Sequence, residues 1–519
     1  MSKGADLPTV RQILELADEF GLEMTEEDGQ SYQNIMQGPM ASYRVLEDIP
    51  EWRPEQKYPR NAGYRPTAED NPYNGWYMRC DIKGAKSGIL KGYDVGIKDP
   101  VGVAGIPSMN GSRMLEGYIP DVDATIVTRI LDAGGTIVGK TTTEDCSFSA
   151  GGHTSALGPI RNPRKPTHSP GGSSGGSGAV VAAGDVKMAI GGDQAGSIRL
   201  PASRCGIVGL KPTFGLVPYT GAIMIEMTID VLGPMCDTVE NTARLLTAIA
   251  GPDPMDPRQR GVIPEDYVQD YMPAIGKGVK GLTIGLLKEG FGQKAWPDLG
   301  FPASDKLVDR KCKAAVKALE AKGAKVKVVS APMHKVGPHL WNAIGLEGSA
   351  EFMLKGYNQG SNWRGFYNTR LREAVGRGFD SRATDLPVQA KLVLLLGEYM
   401  HRNYHGRYYS KAQNQRYLLD ADYDRVLKEC DVFAMPTVPF QTPAIIPTNS
   451  PIEQDMEASL NMIANTCPIS LSGHPSVSVP CAMEDGLPIG LMLTGRQFDD
   501  FTVLRVADAV EKSGNWKKR

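Results

Sequence analysis

Three short segments of the sequence contain the residue types that a serine-based hydrolysis needs. Lys98 ends the stretch YDVGIK, Ser173 lies within the glycine-rich run GGSSGGSG, and Ser197 ends the run GGDQAGS. A serine hydroxyl is a poor nucleophile and requires a base. A lysine serves as that base when burial or neighbouring charges lower its pKa. Because a second serine can relay the proton, the three segments together contain a nucleophile, a relay and a base.

Each segment alone predicts little, because a solvated lysine at a strand end, a flexible polar loop and a tight turn are common structural features. The glycine-rich segments add one further capability. Successive backbone N–H groups in such a turn can bind the oxyanion of a tetrahedral intermediate. The combination therefore predicts acyl transfer from a carbonyl substrate.

Other chemistries are possible for the glycine-rich run. Residues 171–175, GGSSG, also fit the G-x-S-x-G nucleophile elbow of α/β-hydrolases, which requires a downstream acid and a histidine. The available histidines lie in no recognisable context: His334, His339, His401, His405 and His474. The sequence contains no P-loop, no Rossmann fingerprint and no H-E-x-x-H motif. We therefore expect neither a cofactor nor a bound metal.

Composition indicates a globular protein without a strongly charged partner. The chain has 519 residues, of which 41% are hydrophobic and 22% charged, and its formal net charge is -2. This balance argues against nucleic acid or an anionic membrane as a partner.

The apolar run at 392–396 is too short to span a bilayer. The first ten residues, MSKGADLPTV, lack an apolar signal core, which predicts a cytoplasmic location.

The eight cysteines form no C-x-x-C pair. Neither a zinc ribbon nor a dithiol redox motif is therefore indicated. We expect reduced and mostly buried thiols.

Periodicity predicts an α/β protein with helical additions. Residues 8–48 have helical spacing, with a capping box at Thr25 and Asp28, and residues 50–75 read as an extended linker. Predicted strands cover 93–97, 136–138, 186–190, 282–287, 326–329, 432–435, 476–479 and 489–494, and predicted helices cover 123–133, 304–321 and 502–511. The predicted organisation is an N-terminal extension (1–75), a first core part (76–334), a helical insertion or lid (335–424) and a second core part (425–519).

The three segments, in this order and spacing, resemble the amidase signature family. Lys98 and Ser173 are 75 residues apart and Ser173 and Ser197 are 24 apart, both typical of that family. The resemblance extends through CGIVGLKPT at 205–213 and GHPSVSVP at 473–480. It implies a central mixed β-sheet covered by helices. It also implies hydrolysis of carboxylic amides without metal or cofactor.

The resemblance implies a role for each of these residues. Ser197 would be the nucleophile, Ser173, following a cis peptide bond, would relay the proton, and a neutral Lys98 would be the base. The N–H groups of Gln194, Ala195, Gly196 and Ser197 would form the oxyanion hole. Asp193 and Arg199 would hold the loop rather than take part in the chemistry.

A narrower resemblance concerns the nitrile-pathway, enantioselective-type amidases of soil bacteria. It is carried by GDQAGSIR at 192–199, TFGLVPYTG at 213–221 and MIANT at 462–466. Those enzymes have a helical N-terminal extension through which they form homodimers, and they hydrolyse small aliphatic and aromatic amides. The resemblance implies an acyl pocket lined by Phe148, Ile229, Trp341, Leu460 and Ile463. We therefore expect a hydrophobic or aromatic acyl group, a small amine leaving group and a homodimer.

Three residues depart from the family pattern. Ala195 stands where glycine is usual, Arg204 where an apolar aromatic is common, and Pro100 where a polar residue is common. Alanine at 195 would be strained if the position required a positive φ, and would otherwise only narrow the site. The residues Lys98, Ser173 and Ser197 also suit an aryl-acylamidase, an acyl-hydrazide hydrolase or the glutamine-cleaving component of an amidotransferase.

Overall fold

The computed structural model describes residues 5–264, 266–267 and 269–518. The chain divides into two compact units, Met1–Glu55 and Gln56–Arg519. Within the described residues, no helix combines the length and the apolar character that crossing a membrane requires.

The first unit is a pair of helices, α1 (Val10–Glu19) and α2 (Glu26–Asp48). The predicted capping box is confirmed, since the Thr25 hydroxyl accepts from the Asp28 N–H and the Asp28 carboxylate accepts from the Thr25 N–H. Gly29 lets the helices approach closely, because a Cβ there would lie 3.0 Å from Cγ1 of Val10.

The second unit is built around one mixed sheet. Its strands are β1 (Trp76–Lys83), β2 (Asp94–Lys98), β3 (Thr136–Thr141), β4 (Met188–Asp193), β5 (Val208–Lys211), β6 (Val231–Cys236), β7 (Thr283–Leu287), β8 (Lys325–Val329), β9 (Val432–Pro436), β10 (Ser476–Glu484) and β11 (Leu487–Gly495). Their spatial order is β1-β3-β2-β4-β6-β5-β10-β11-β9-β7-β8. β2 runs parallel to β3 and β4, and β7 runs parallel to β8 and β9, whereas the other pairs are antiparallel.

Helices connect and cover these strands. They are α3 (Thr125–Asp132), α4 (Gly175–Ala183), α5 (Arg199–Cys205), α6 (Val239–Ile249), α7 (Lys306–Lys317), α8 (Gly337–Ser349), α9 (Thr369–Arg382), α10 (Val388–Tyr404), α11 (Arg407–Glu429), α12 (Ile452–Leu460), α13 (Cys467–Ser472) and α14 (Asp500–Glu511). The eight cysteines are buried and free, as expected. The predicted α/β class with a helix-covered mixed sheet is therefore confirmed.

The predicted strands and helices lie within a few residues of the observed ones, but three strands are missing from the prediction. These are β1, β5 and β6, and β5 and β6 are buried at every position. A strand that is covered on both faces shows no alternation of polar and apolar residues. Gly233 and Pro234 also interrupt β6, and both residue types are unfavourable in strands.

Only helices and short turns separate β8 from β9 among the described residues, in the region predicted as a helical insertion. In this region, α8 continues into a π-helix, Ala350–Leu354. α10 crosses this junction closely, because a Cβ at Gly397 would lie only 2.3 Å from Cβ of Ala350. The close approach fixes the end of α8, which carries part of the candidate site.

This close approach predicts the effect of two alanine substitutions. Gly397→Ala should lower the free energy of unfolding by about 1–3 kcal/mol, because it overpacks the α8–α10 contact. Gly376→Ala in α9 is the matched control, since its Cβ would make an ordinary 3.7 Å contact with the Tyr357 ring. The control should be neutral or stabilising by up to about 1 kcal/mol, as expected for glycine to alanine in a helix. Thermal unfolding measures both, and equal unfolding temperatures for the two variants would contradict the packing.

Candidate active site

Lys98 lies at the end of β2, in the buried part of the sheet between β3 and β4. Its Nζ donates a hydrogen bond to Oγ of Ser173 at 2.7 Å and lies 3.5 Å from the carbonyl oxygen of Gly192. Burial lowers the pKa of Lys98 to about 7, although Asp193 and Asp230 act in the opposite direction. Near neutral pH a large fraction of this lysine is therefore the free amine, which can accept a proton.

Ser173 precedes α4 and its position is fixed on both sides. The Gly172–Ser173 peptide bond is cis, as the family resemblance implies. The Ser173 carbonyl accepts hydrogen bonds from Oγ1 of Thr143 at 2.8 Å and from the N–H of Glu144 at 3.3 Å. Among the described residues, its hydroxyl is bonded to Lys98 and to no histidine. This geometry does not support a nucleophile elbow served by a histidine.

Ser197 ends a four-residue turn, 194–197, between β4 and α5. Each carbonyl of the turn accepts a hydrogen bond from outside it: Gln194 from Nε1 of Trp341 (3.0 Å), Ala195 from Oγ1 of Thr466 (2.5 Å), Gly196 from the N–H of Leu200 (2.7 Å) and Ser197 from the N–H of Ser174 (3.3 Å). The N–H groups of the same four residues donate to no other described residue. The turn therefore presents free donors that suit an oxyanion.

The residue types in the turn follow from its geometry. Gly196 has a φ of 138°, and a Cβ there would lie 2.4 Å from Oγ1 of Thr466. Ala195 is not among the described residues with a positive φ, so its methyl group causes no backbone strain. The methyl group instead lines the cavity beside Ser197. The departure at Ala195 thus narrows the site.

A buried ion pair holds both ends of the turn. Nε of Arg199 donates to one carboxylate oxygen of Asp193 and Nη2 to the other, each at 3.0 Å, and Nη2 also reaches the Thr466 carbonyl and the Ser470 hydroxyl. Burial alone would raise the pKa of Asp193, but the Arg199 charge lowers it below its usual value. Removing one partner of such a buried pair destabilises a protein by about 3–5 kcal/mol. These contacts agree with the predicted structural role of Asp193 and Arg199.

A cavity adjoins the turn. The five residues predicted to form the acyl pocket all line it: Phe148, Ile229, Trp341, Leu460 and Ile463. Ser197, Gln194 and Ala195 form its wall at the turn. The other lining residues are Ser147, Ser149, Ala150, Leu200, Ile225, Gly345 and Ser349, so no charged side chain of the described residues faces the cavity.

Two contacts that position the turn were not predicted from the sequence. Thr466 holds the Ala195 carbonyl, and Trp341 holds the Gln194 carbonyl as well as lining the cavity. Trp341 thereby contacts the turn from the helical region that the sequence predicts as an insertion or lid. Its indole N–H could have indicated this bond, because a buried tryptophan usually has a hydrogen-bond partner.

Arg204, one of the three departures, is buried beside the cavity wall. Its Nη1 donates to Oγ of Ser169 at 2.8 Å and lies 3.4 Å from the carbonyl oxygen of Ala150. Burial lowers the pKa of Arg204 to about 10.

Among the described residues, no cluster of three or more histidine, cysteine or acidic side chains could hold a metal ion.

Comparison with known proteins gives concordant matches. The amidase family model matches residues 77–504. The enantioselective amidase of Rhodococcus rhodochrous is 39% identical over 512 residues, which are 98% of this chain and 96% of that protein. A glutamyl-tRNA(Gln) amidotransferase subunit of Methanosarcina mazei is 37% identical over 442 residues, or 84% of this chain and 87% of that protein.

Solved structures show the same fold. The crystal structure of the corresponding glutamyl-tRNA(Gln) amidotransferase subunit of Thermotoga maritima superposes with a TM-score of 0.68 at 29% identity, covering 85% of this chain and 88% of that one. The family match spans most of the chain, and the relatives exceed 30% identity over most of its length. The chain therefore belongs to the amidase family, as its sequence motifs indicate.

Proposed function

We propose that this amidase cleaves a linear carboxylic acid amide by a serine mechanism. Ser197 attacks the carbonyl carbon, Ser173 relays the proton and Lys98 accepts it. The observation that carries the proposal is the 2.7 Å hydrogen bond from buried Lys98 to Ser173, next to a turn whose N–H groups are free within the described residues. These two features supply a candidate base and a candidate oxyanion site close to the segment that carries Ser197.

The reaction follows in two steps. As the Ser197 oxygen bonds to the carbonyl carbon, its proton passes to Ser173, whose own proton passes to Lys98. The carbonyl oxygen becomes negative and is bound by the N–H groups of the turn. The proton then returns to the leaving nitrogen, the amine departs, and water hydrolyses the acyl-enzyme by the same route. No hydrogen bond joins the side chains of Ser197 and Ser173 in the described structure, and such contacts often tighten only with substrate bound.

The first prediction concerns the nucleophile. Ser197→Ala should abolish amide turnover, because no covalent intermediate can form. Ser381→Ala, which removes an exposed hydroxyl on α9, is the matched control and should retain full activity. Product release from a hydrolysed amide measures both, and wild-type turnover in Ser197→Ala would contradict the assignment.

The second prediction concerns the base. The pKa of Lys98 is lowered to about 7, so its free-amine form increases as the pH rises through that value. The kcat/KM should therefore rise about tenfold per pH unit below 7 and level off above it. Lys98→Met should remain folded, since methionine fills a similar volume without a buried amine, and should lose roughly 10²–10⁴-fold in kcat. Near-normal turnover in Lys98→Met, with an unchanged pH profile, would mean that another group is the base.

We assign the cavity beside Ser197 to the acyl group. In an acyl-enzyme mechanism the acyl part stays bound through both steps, whereas the amine departs after the first. An enclosed apolar cavity therefore benefits the acyl side most. The lining supports a hydrophobic or aromatic acyl group, and we expect a small amine as the leaving group. Anilides and acyl hydrazides present the same carbonyl, so an aryl-acylamidase or hydrazide hydrolase is a variant of this proposal.

Similarity to amidotransferase subunits favours a second candidate, hydrolysis of glutamine with ammonia passed to a partner protein. Two observations weigh against it. The cavity has no charged lining residue among those described to pair with the ammonium and carboxylate of glutamine. The alignment with the enantioselective amidase also spans 98% of the chain, against 84% for the Methanosarcina mazei protein.

The third prediction separates these two candidates. Across a panel of primary amides, kcat/KM should increase from acetamide to longer aliphatic and aromatic acyl groups. Glutamine should be hydrolysed at least about 100-fold less efficiently, since its charges would be desolvated without partners. The panel should include anilides and hydrazides of one preferred acid, which compare leaving groups at a constant acyl group. A preference for glutamine would establish the amidotransferase candidate.

The homodimer and the cytoplasmic location remain predictions. The first unit exposes several large apolar side chains: Leu16, Phe20, Leu22, Ile35, Val45, Leu46 and Trp52. A concentration of exposed apolar surface on a short helical unit is typical of an interface. This supports, within the proposal, association of two copies through the N-terminal helices.

A further inference from the structure

We propose that the hydroxyl of Ser349 selects substrates whose acyl group carries a neutral hydrogen-bonding group at the end remote from the scissile carbonyl. The inference rests on the proposed function, because it assigns the cavity beside Ser197 to the acyl group. It adds a polar contact to a cavity that is otherwise lined mainly by apolar side chains.

Ser349 is fully buried and lines the cavity, yet its hydroxyl has no hydrogen-bond partner among the described residues. A serine within a helix commonly bonds to the carbonyl four residues earlier, which here belongs to Gly345. That bond is absent from the hydrogen bonds of the described residues. A buried hydroxyl without a partner is unfavourable and rare in native proteins, so a ligand atom in the cavity is the natural partner.

The position of Ser349 identifies which part of the substrate it would contact. Trp341, Gly345 and Ser349 follow one another at intervals of four residues and all line the cavity from one side of α8. Trp341 lies at the turn, where it is bonded to Gln194. The indole that makes this bond lies against Gly345, since a Cβ there would be 3.1 Å from its ring, so Ser349 is about one helical turn (~5–6 Å) beyond the indole. We infer that Ser349 contacts the acyl group at a point one helical turn away from the contact between Trp341 and the turn, and so away from the carbonyl.

The local structure fixes the backbone that carries this hydroxyl. Ser349 is the last residue of α8, and the π-helix begins at Ala350, which Gly397 of α10 approaches closely. Short π-helical segments occur frequently at functional sites. Neighbouring helices therefore hold the Ser349 backbone at the wall of the cavity.

The other polar lining residues are engaged or belong to the turn. Oγ of Ser147 is 2.7 Å from Oδ1 of Asn110, and Oγ of Ser149 accepts from the N–H of Gly151. The Gln194 Oε1 also lacks a partner among the described residues, but its amide lies at the turn, with Nε2 donating to Tyr219. The substituent should be neutral, because no described charged side chain lines the cavity to pair with an ion.

A series of matched amides tests the inference. The probes are 3-phenylpropanamide with its 3- and 4-hydroxyphenyl analogues, and hexanamide with analogues bearing a terminal hydroxyl or methoxy group. The kcat/KM of each substituted amide is divided by that of its parent for the wild type, Ser349→Ala, Ser349→Thr and Ser381→Ala. For the best-placed substituent, this ratio should fall about fivefold in Ser349→Ala, the loss expected for one neutral hydrogen bond. The ratio should stay at its wild-type value in Ser349→Thr, which keeps a hydroxyl, and in Ser381→Ala.

Thermal unfolding supplies a readout that separates ligand recognition from a structural role. Removal of an unpartnered hydroxyl should leave the Tm of Ser349→Ala at or above the wild-type value. Equal ratios in the wild type and Ser349→Ala at every substituent position would overturn the inference, as would a Tm lowered by several degrees. If the wild type hydrolysed none of these amides, the proposed function would be refuted and this inference with it.

Discussion

A lysine ammonium that loses its contact with water gives up its proton far more readily than one in solution. Lys98 is in this position, because β2 lies in the interior of the sheet and the side chain ends against Ser173. The proposed mechanism depends on this burial, since an exposed lysine would stay protonated at neutral pH and could not accept a proton. The flanking strands β3 and β4 are therefore as necessary to the proposed mechanism as the lysine itself.

The turn at 194–197 illustrates a second constraint. Free N–H groups bind an oxyanion only if the peptide groups are held in one orientation, and here every carbonyl of the turn has a partner outside it. Those partners come from the α8 helix, the segment before α13, the start of α5 and the loop before α4. The helical region between β8 and β9 thus takes part in the site through Trp341, which both fixes the turn and lines the cavity.

The sequence predicts the candidate catalytic residues but not the contacts that position them. Lys98, Ser173 and Ser197 lie in short local patterns, and the five apolar lining residues followed from family resemblance. Thr466 lies 271 residues from the turn residue that it holds, and the Trp341 indole lies 147 residues from its partner, so no local pattern shows either bond. The strands β5 and β6 were missed because full burial removes the alternation on which strand prediction relies. The unpartnered Ser349 hydroxyl becomes visible only when its surroundings are known.

The central claim is that the acyl group is carried by Ser197 while Ser173 only relays the proton. Mass spectrometry after reaction with a fluorophosphonate, followed by peptide mapping, tests it most directly. The account predicts one adduct per chain, located on Ser197, with labelling that is faster above pH 7 than below it and is lost in Ser197→Ala. An adduct on Ser173, or labelling that persists at the wild-type rate in Ser197→Ala, would contradict it.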